Sequence, residues 1–97
     1  MPEIYVDADA CPVREEVIRV AERHGLVTHM VSDGGLRPDP SPLVHNIVVA
    51  QGADAADDWI AEHISPGDIA ITNDIPLADR CLKRGAGAIR ADGKAFT

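Results

Sequence analysis

The chain is short of aromatic residues and of cysteine, and it contains no long apolar run. One Trp, one Tyr and one Phe among 97 residues leave Val, Ile, Leu and Ala to fill the interior. That palette belongs to a parallel sheet buried on both faces. Cys11 and Cys81 are the two cysteines. They show no paired spacing of a disulfide framework, so both are expected as thiols in a reducing compartment. No stretch approaches the roughly 20 apolar residues that cross a bilayer, so no membrane association is predicted. Met1 to Asp7 run straight into a strand pattern with no basic stretch and apolar core of a signal peptide, so a cytoplasmic location is expected.

Basic residues are also scarce, 9 against 16 acidic, and the net charge is −7. This excludes simple electrostatic adhesion to nucleic acid or to an anionic membrane. The deficit is uneven. Residues 1–79 carry 4 basic and 15 acidic side chains, whereas residues 80–97 carry 5 basic and 1 acidic. A phosphate-bearing substrate could therefore meet the basic end while a metal ion neutralises the acidic part, although a solvated helix face gives the same counts.

What is present is an alternation of short apolar runs with helical patterns, in a length that supports one domain spanning residues 1–97. Ile4-Tyr5-Val6 reads as a strand, and Pro12 suits the first turn of a helix. Val13, Val17, Ile18, Val20 and Ala21 give that helix one apolar face, and Gly25 closes it. Leu26–Val31 reads as a second strand, and 32–42, with two glycines and three prolines, as a loop. Asn46–Ala50 is a third strand. A second helix runs from Asp54 to about Ile64, with Ala56, Trp59, Ile60 and His63 on its core face. Ile69–Thr72 is a fourth strand, Asn73-Asp74 opens a third helix ending at Gly85, and Ala88-Ile89-Arg90 fits a fifth strand. Such alternation implies βαβ crossovers. The expected fold is a three-layer α/β/α sandwich with a mainly parallel four- to five-stranded sheet.

Ligands of open α/β sheets bind beyond the carboxyl ends of the strands. There the chain places aspartates from three segments: Asp7 and Asp9 after the first strand, Asp54, Asp57 and Asp58 at the second helix, and Asp74 after the fourth strand. Carboxylates gathered on one rim repel, and a hard divalent cation with oxygen ligands relieves that repulsion. Each acid also has a plainer explanation. Carboxylates are favoured N-caps, which accounts for Asp54 most readily and for Asp74 next, while Asp58 lies where a helix faces solvent. Thr72 and Asn73 could orient a ligand or simply form a turn. Arg80, Lys83 and Arg84 are candidate phosphate contacts or a solvated face. Cys11 reads as a small buried thiol, and the four histidines show no zinc spacing and read as structural, with His63 at the core edge.

Three blocks carry a resemblance: Asp7-Ala8-Asp9-Ala10-Cys11-Pro12-Val13, Gly52-Ala53-Asp54-Ala55-Ala56-Asp57-Asp58, and Gly67-Asp68-Ile69-Ala70-Ile71-Thr72-Asn73-Asp74-Ile75-Pro76-Leu77-Ala78. In this order and spacing the whole chain resembles the YaiI/YqxD family of bacterial proteins, which is grouped by fold with PIN-like nucleases. The resemblance implies a PIN-like domain and a divalent-metal site at Asp7, at Asp54 with Asp57 or Asp58, and at Asp74. It also implies that family members continue beyond the point where this chain stops, so that a C-terminal part of the family's usual length is absent.

The leading expectation is an Mg²⁺- or Mn²⁺-dependent phosphodiesterase acting on nucleic acid, RNA first. Asp7, Asp57 and Asp74 would be its catalytic ligands, with Asp9, Asp54 and Asp58 supporting them or holding a second metal. Thr72, Asn73, Arg80, Lys83 and Arg84 would contact substrate. Two alternatives stand beside it. One is a metal- or RNA-binding module without turnover, and the other is a phosphatase with Asp7 as covalent nucleophile and Asp9 as general acid.

Overall fold

A computed structural model describes residues 2–8, 14–34, 41–50 and 54–96. Five strands, β1 (Ile4–Asp7), β2 (Thr28–Ser32), β3 (Val44–Val48), β4 (Ile69–Ile71) and β5 (Gly87–Ile89), alternate with three helices, α1 (Arg14–Arg23), α2 (Ala55–His63) and α3 (Ile75–Lys83). The strands form one sheet in the order β3-β2-β1-β4-β5, and every neighbouring pair is parallel. The three-layer α/β/α architecture expected from the sequence is the observed one.

Alternation along β1 sorts the two cores. Ile4 and Val6 face α1 and pack with Ala21, Met30, Val44 and Ile71. Tyr5 points the other way, into the layer formed by Ile60, Ala61 and Ile64 of the α2 segment and Leu77 and Cys81 of α3. Asp7, two residues on from Tyr5, shares the face of α2 and α3. Cys81 is a fully buried free thiol, and burial pushes its pKa up. Cys11 lies outside the described residues.

Positive φ stops two helices. Gly25 (φ +67°) follows α1, and Gly85 (φ +84°) follows α3, where a Cβ would also press on Pro66 at 3.3 Å.

Three local expectations shift. On α2, Ile60 is buried and Ala56 and Trp59 pack against the same core as expected, but Ala61 joins them, with Ile64 just beyond the helix end, and His63 is exposed. The His63 ring stacks on Trp59 at 3.9 Å between centroids, and Nδ1 lies 2.7 Å from the Trp59 carbonyl. β3 begins two residues earlier than its apolar pattern suggests, because pairing with β2 starts at Val44 opposite Thr28. Val20, expected on the buried face of α1, is 50% exposed. The loop expected over 32–42 falls largely outside the described residues, although Ser32 itself ends β2.

Candidate acidic site at the switch point

The chain leaves β1 toward β2 on one side and leaves β4 toward β5 on the other, so β1 and β4 flank the point where the sheet's winding reverses. In doubly wound sheets the crevice at the carboxyl ends of such a pair is the usual ligand position. Asp7 closes β1, and Thr72 to Asp74 follow β4. The switch point therefore carries two aspartates by construction.

Asp7 is 6% exposed and Thr72 is fully buried. The Thr72 hydroxyl donates to Asp7 Oδ2 at 3.1 Å and accepts from the Asp74 backbone N–H at 3.0 Å. One hydroxyl thus fixes both acids relative to each other across adjacent strands. Asp74 is the N-cap of α3, its Oδ1 accepting from the Leu77 N–H at 2.9 Å, with Pro76 in the first turn. Asp54 occupies the same position on α2 but makes no side-chain cap bond. The capping expectation is therefore reversed in emphasis: Asp74 caps and Asp54 does not.

Asp57, in the first turn of α2, completes the group. Its carboxyl pKa is pushed up to about 6, first by burial, then by the negative charges of Asp74 and Asp7, by a side-chain hydrogen bond with Asp74, and by Asp54. Asp57 thus lies within electrostatic reach of Asp74, Asp7 and Asp54.

Asp58 takes a different course. It binds Arg80 Nη1 at 2.9 Å, and both side chains are about half exposed. The other basic candidates are also engaged. Lys83 Nζ pairs with Asp79 at 2.8 Å, and Arg84 Nε donates to the Ile64 carbonyl at 3.0 Å. Asn73 is exposed and its Oδ1 accepts from the Ala91 N–H at 3.0 Å, tying the loop after β4 to the one after β5. Thr72 has no surface to offer a substrate, and its place is between the acids. Asp9 lies outside the described residues.

Among the described residues, no group of three or more His, Cys, Asp or Glu side chains is gathered tightly enough to hold a metal ion. The donors nonetheless fit a hard divalent cation in kind. They are carboxylate oxygens in excess negative charge, and the raised pKa of Asp57 reflects a repulsion that a cation would relieve. No local sequence pattern encodes the pairing of Asp58 with Arg80, 22 residues later.

Fold and rim together define a doubly wound α/β domain with a carboxylate cluster at its switch point. The chain belongs to the YaiI/YqxD family: residues 5–97 match the family model described as "Uncharacterized BCR, YaiI/YqxD family". It is 61% identical to a UPF0178 protein of Parvibaculum lavamentivorans over all 97 residues, which make up 64% of that relative. It is 58% identical to a UPF0178 protein of Rhodopseudomonas palustris strain TIE-1, again over its full length and 61% of the relative. Agrobacterium fabrum has a third, Atu1478, 55% identical over 98% of this chain and 62% of the relative. The chain thus spans under two thirds of the length of the curated relatives it matches. No solved structure matches it significantly.

Proposed function

We propose that the acidic rim binds a divalent cation, Mg²⁺ or Mn²⁺, and that the protein hydrolyses phosphodiester bonds in nucleic acid, RNA first. The observation that carries the reading is the gathering of Asp7, Asp57 and Asp74 from three chain segments at the switch point, close enough that one carboxyl holds its proton to about pH 6. A purely structural set of caps has no need to bring like charges together at such a cost.

Asp7, Asp57 and Asp74 would hold the cation, with Asp54 adding negative charge at the outer edge. When bound, the metal supplies Lewis-acid stabilisation of a phosphoryl oxygen and lowers the pKa of a bound water. Thr72 keeps Asp7 and Asp74 in fixed relation, so it is a positioning residue. Arg80, held by Asp58 and within the field of Asp57, would contact a backbone phosphate of the bound substrate.

A reading as a binding module without turnover draws on the separation of the carboxyls, since no three of the described acids form a closed ligand set. One assay separates the two. Single-stranded RNA incubated with the chain and Mn²⁺ should be cleaved, and Asp7→Asn should abolish cleavage while leaving the circular dichroism spectrum unchanged. Metal binding with no cleavage of RNA or DNA would support the module, and full activity in Asp7→Asn would remove Asp7 from the mechanism.

A further inference from the structure

Parallel sheets are stable when both faces are covered, because their strands are apolar on both sides. Among the described residues the coverage is unequal. The face that meets α2 and α3 is closed over β1, β2 and β4, with Tyr5, Val31 and Ala70 buried, and Ala86, just before β5, is buried with them. On the opposite face α1 lies over β1 and β2, with Ala21 buried against Val6 and Met30. Beyond α1, over β4 and β5, an apolar groove of about 610 Å³ runs along the sheet, lined by Val17, Val20, Ile69, Ile71 and Ile89. Ile69 and Ile89 sit at strand positions that a helix would normally bury, yet they are only partly buried. Val20 points its half-exposed side chain into the same space.

We infer that this groove is the seat of the segment that the relatives carry outside the stretch they share with this chain, and that the segment is amphipathic, its apolar side covering Val20, Ile69 and Ile89. Two observations choose this occupant. The shared stretch makes up only 57–64% of the relatives, so more than a third of each must be placed, which is ample for a further helix. The last described residues also lead to the groove. Residues 90–93 form its rim, the chain then turns back beside β5 with Ala95 bridged to Ile89, and the Phe96 N–H donates to the Ala88 carbonyl. Residues 90–95 therefore border the half of the sheet that no described helix covers.

Two measurements test this. The first is a crystal structure of the full-length Parvibaculum lavamentivorans relative. It should show the additional residues lying over the positions of Val20, Ile69 and Ile89. A segment packed elsewhere, or a second copy of the chain seated in the groove, would overturn the inference. The second follows methyl NMR signals of this chain on titration with a synthetic peptide of the relative's additional residues. Val17, Val20 and Ile89 should shift saturably, and Val20→Glu should weaken binding at least tenfold without changing the thermal midpoint. Absence of binding, shifts confined to the α2 and α3 face, or full binding by Val20→Glu would each contradict it.

Discussion

Two buried aspartates, one at each end of the sheet, are used in opposite ways. Asp68, 7% exposed, stands before β4 at the amino end of the strands. Its Oδ1 accepts from the Glu3 N–H and its Oδ2 from the Ser65 N–H, both at 3.0 Å, so each oxygen is matched to a backbone donor. Asp7, 6% exposed, stands at the carboxyl end, and two further carboxyls, Asp57 and Asp74, are brought into its surroundings. Both positions cost desolvation. At Asp68 the cost is repaid by local hydrogen bonds that tie β1 to the turn before β4. At Asp7 the neighbourhood adds repulsion, an arrangement better suited to a ligand than to stability.

The largest expected effect tests the structural member of the pair. Asp68→Ala leaves the Glu3 and Ser65 amides without their acceptor and should cost about 3 kcal/mol in urea unfolding. A loss below about 1 kcal/mol would mean that water replaces the carboxylate readily.

At the other end, Thr72→Val keeps the shape and removes the hydroxyl that joins Asp7 to Asp74. It should cost about 1–2 kcal/mol and weaken Mn²⁺ binding in the same variant. Lost stability with unchanged metal affinity would reduce Thr72 to a core residue.

Substitution of Asp57 should raise stability where loss of Asp68 lowers it. Its folded-state pKa of about 6 lies above the ordinary 3.8, so the folded state binds more protons between those values. Its contribution is therefore fully present below about pH 4 and is lost as pH rises through about 6. Asp57→Asn should flatten that decline and raise the thermal midpoint at pH 7 by a few degrees. An unchanged pH profile in thermal melts would show that the acids do not interact as described.

The smallest effect belongs to the exposed pair. Asp58→Asn, which loosens Arg80, should change stability by less than about 0.5 kcal/mol. If Arg80 meets phosphate, the same substitution should nonetheless raise the apparent KM for RNA, and an unchanged KM would leave the pair as surface charge.

Much of this was legible in the chain itself. Apolar runs ending in Asp7 and before Asn73-Asp74, together with helix breakers at Gly25 and Gly85, give the strand and helix order because these signals are local. That aspartates following β1 and β4 share one rim was legible too, since parallel βα units send every strand's carboxyl end to one rim. What escaped were pairings set by tertiary placement. Asp54 and Asp74 carry the same N-cap signature, yet only Asp74 meets its third amide. Asp58 finds its cation on another helix, and Val20 looks like a core residue in a pattern that cannot show what, if anything, packs on it.

The central claim is that the rim is a cation site and not a set of caps. Isothermal titration of Mn²⁺ into the chain at pH 5.5, in two buffers of different ionisation enthalpy, addresses it most directly, with Asp74→Asn alongside. The account predicts saturable binding that releases protons and is lost in the variant. No binding up to millimolar metal, or binding that Asp74→Asn leaves intact, would contradict it.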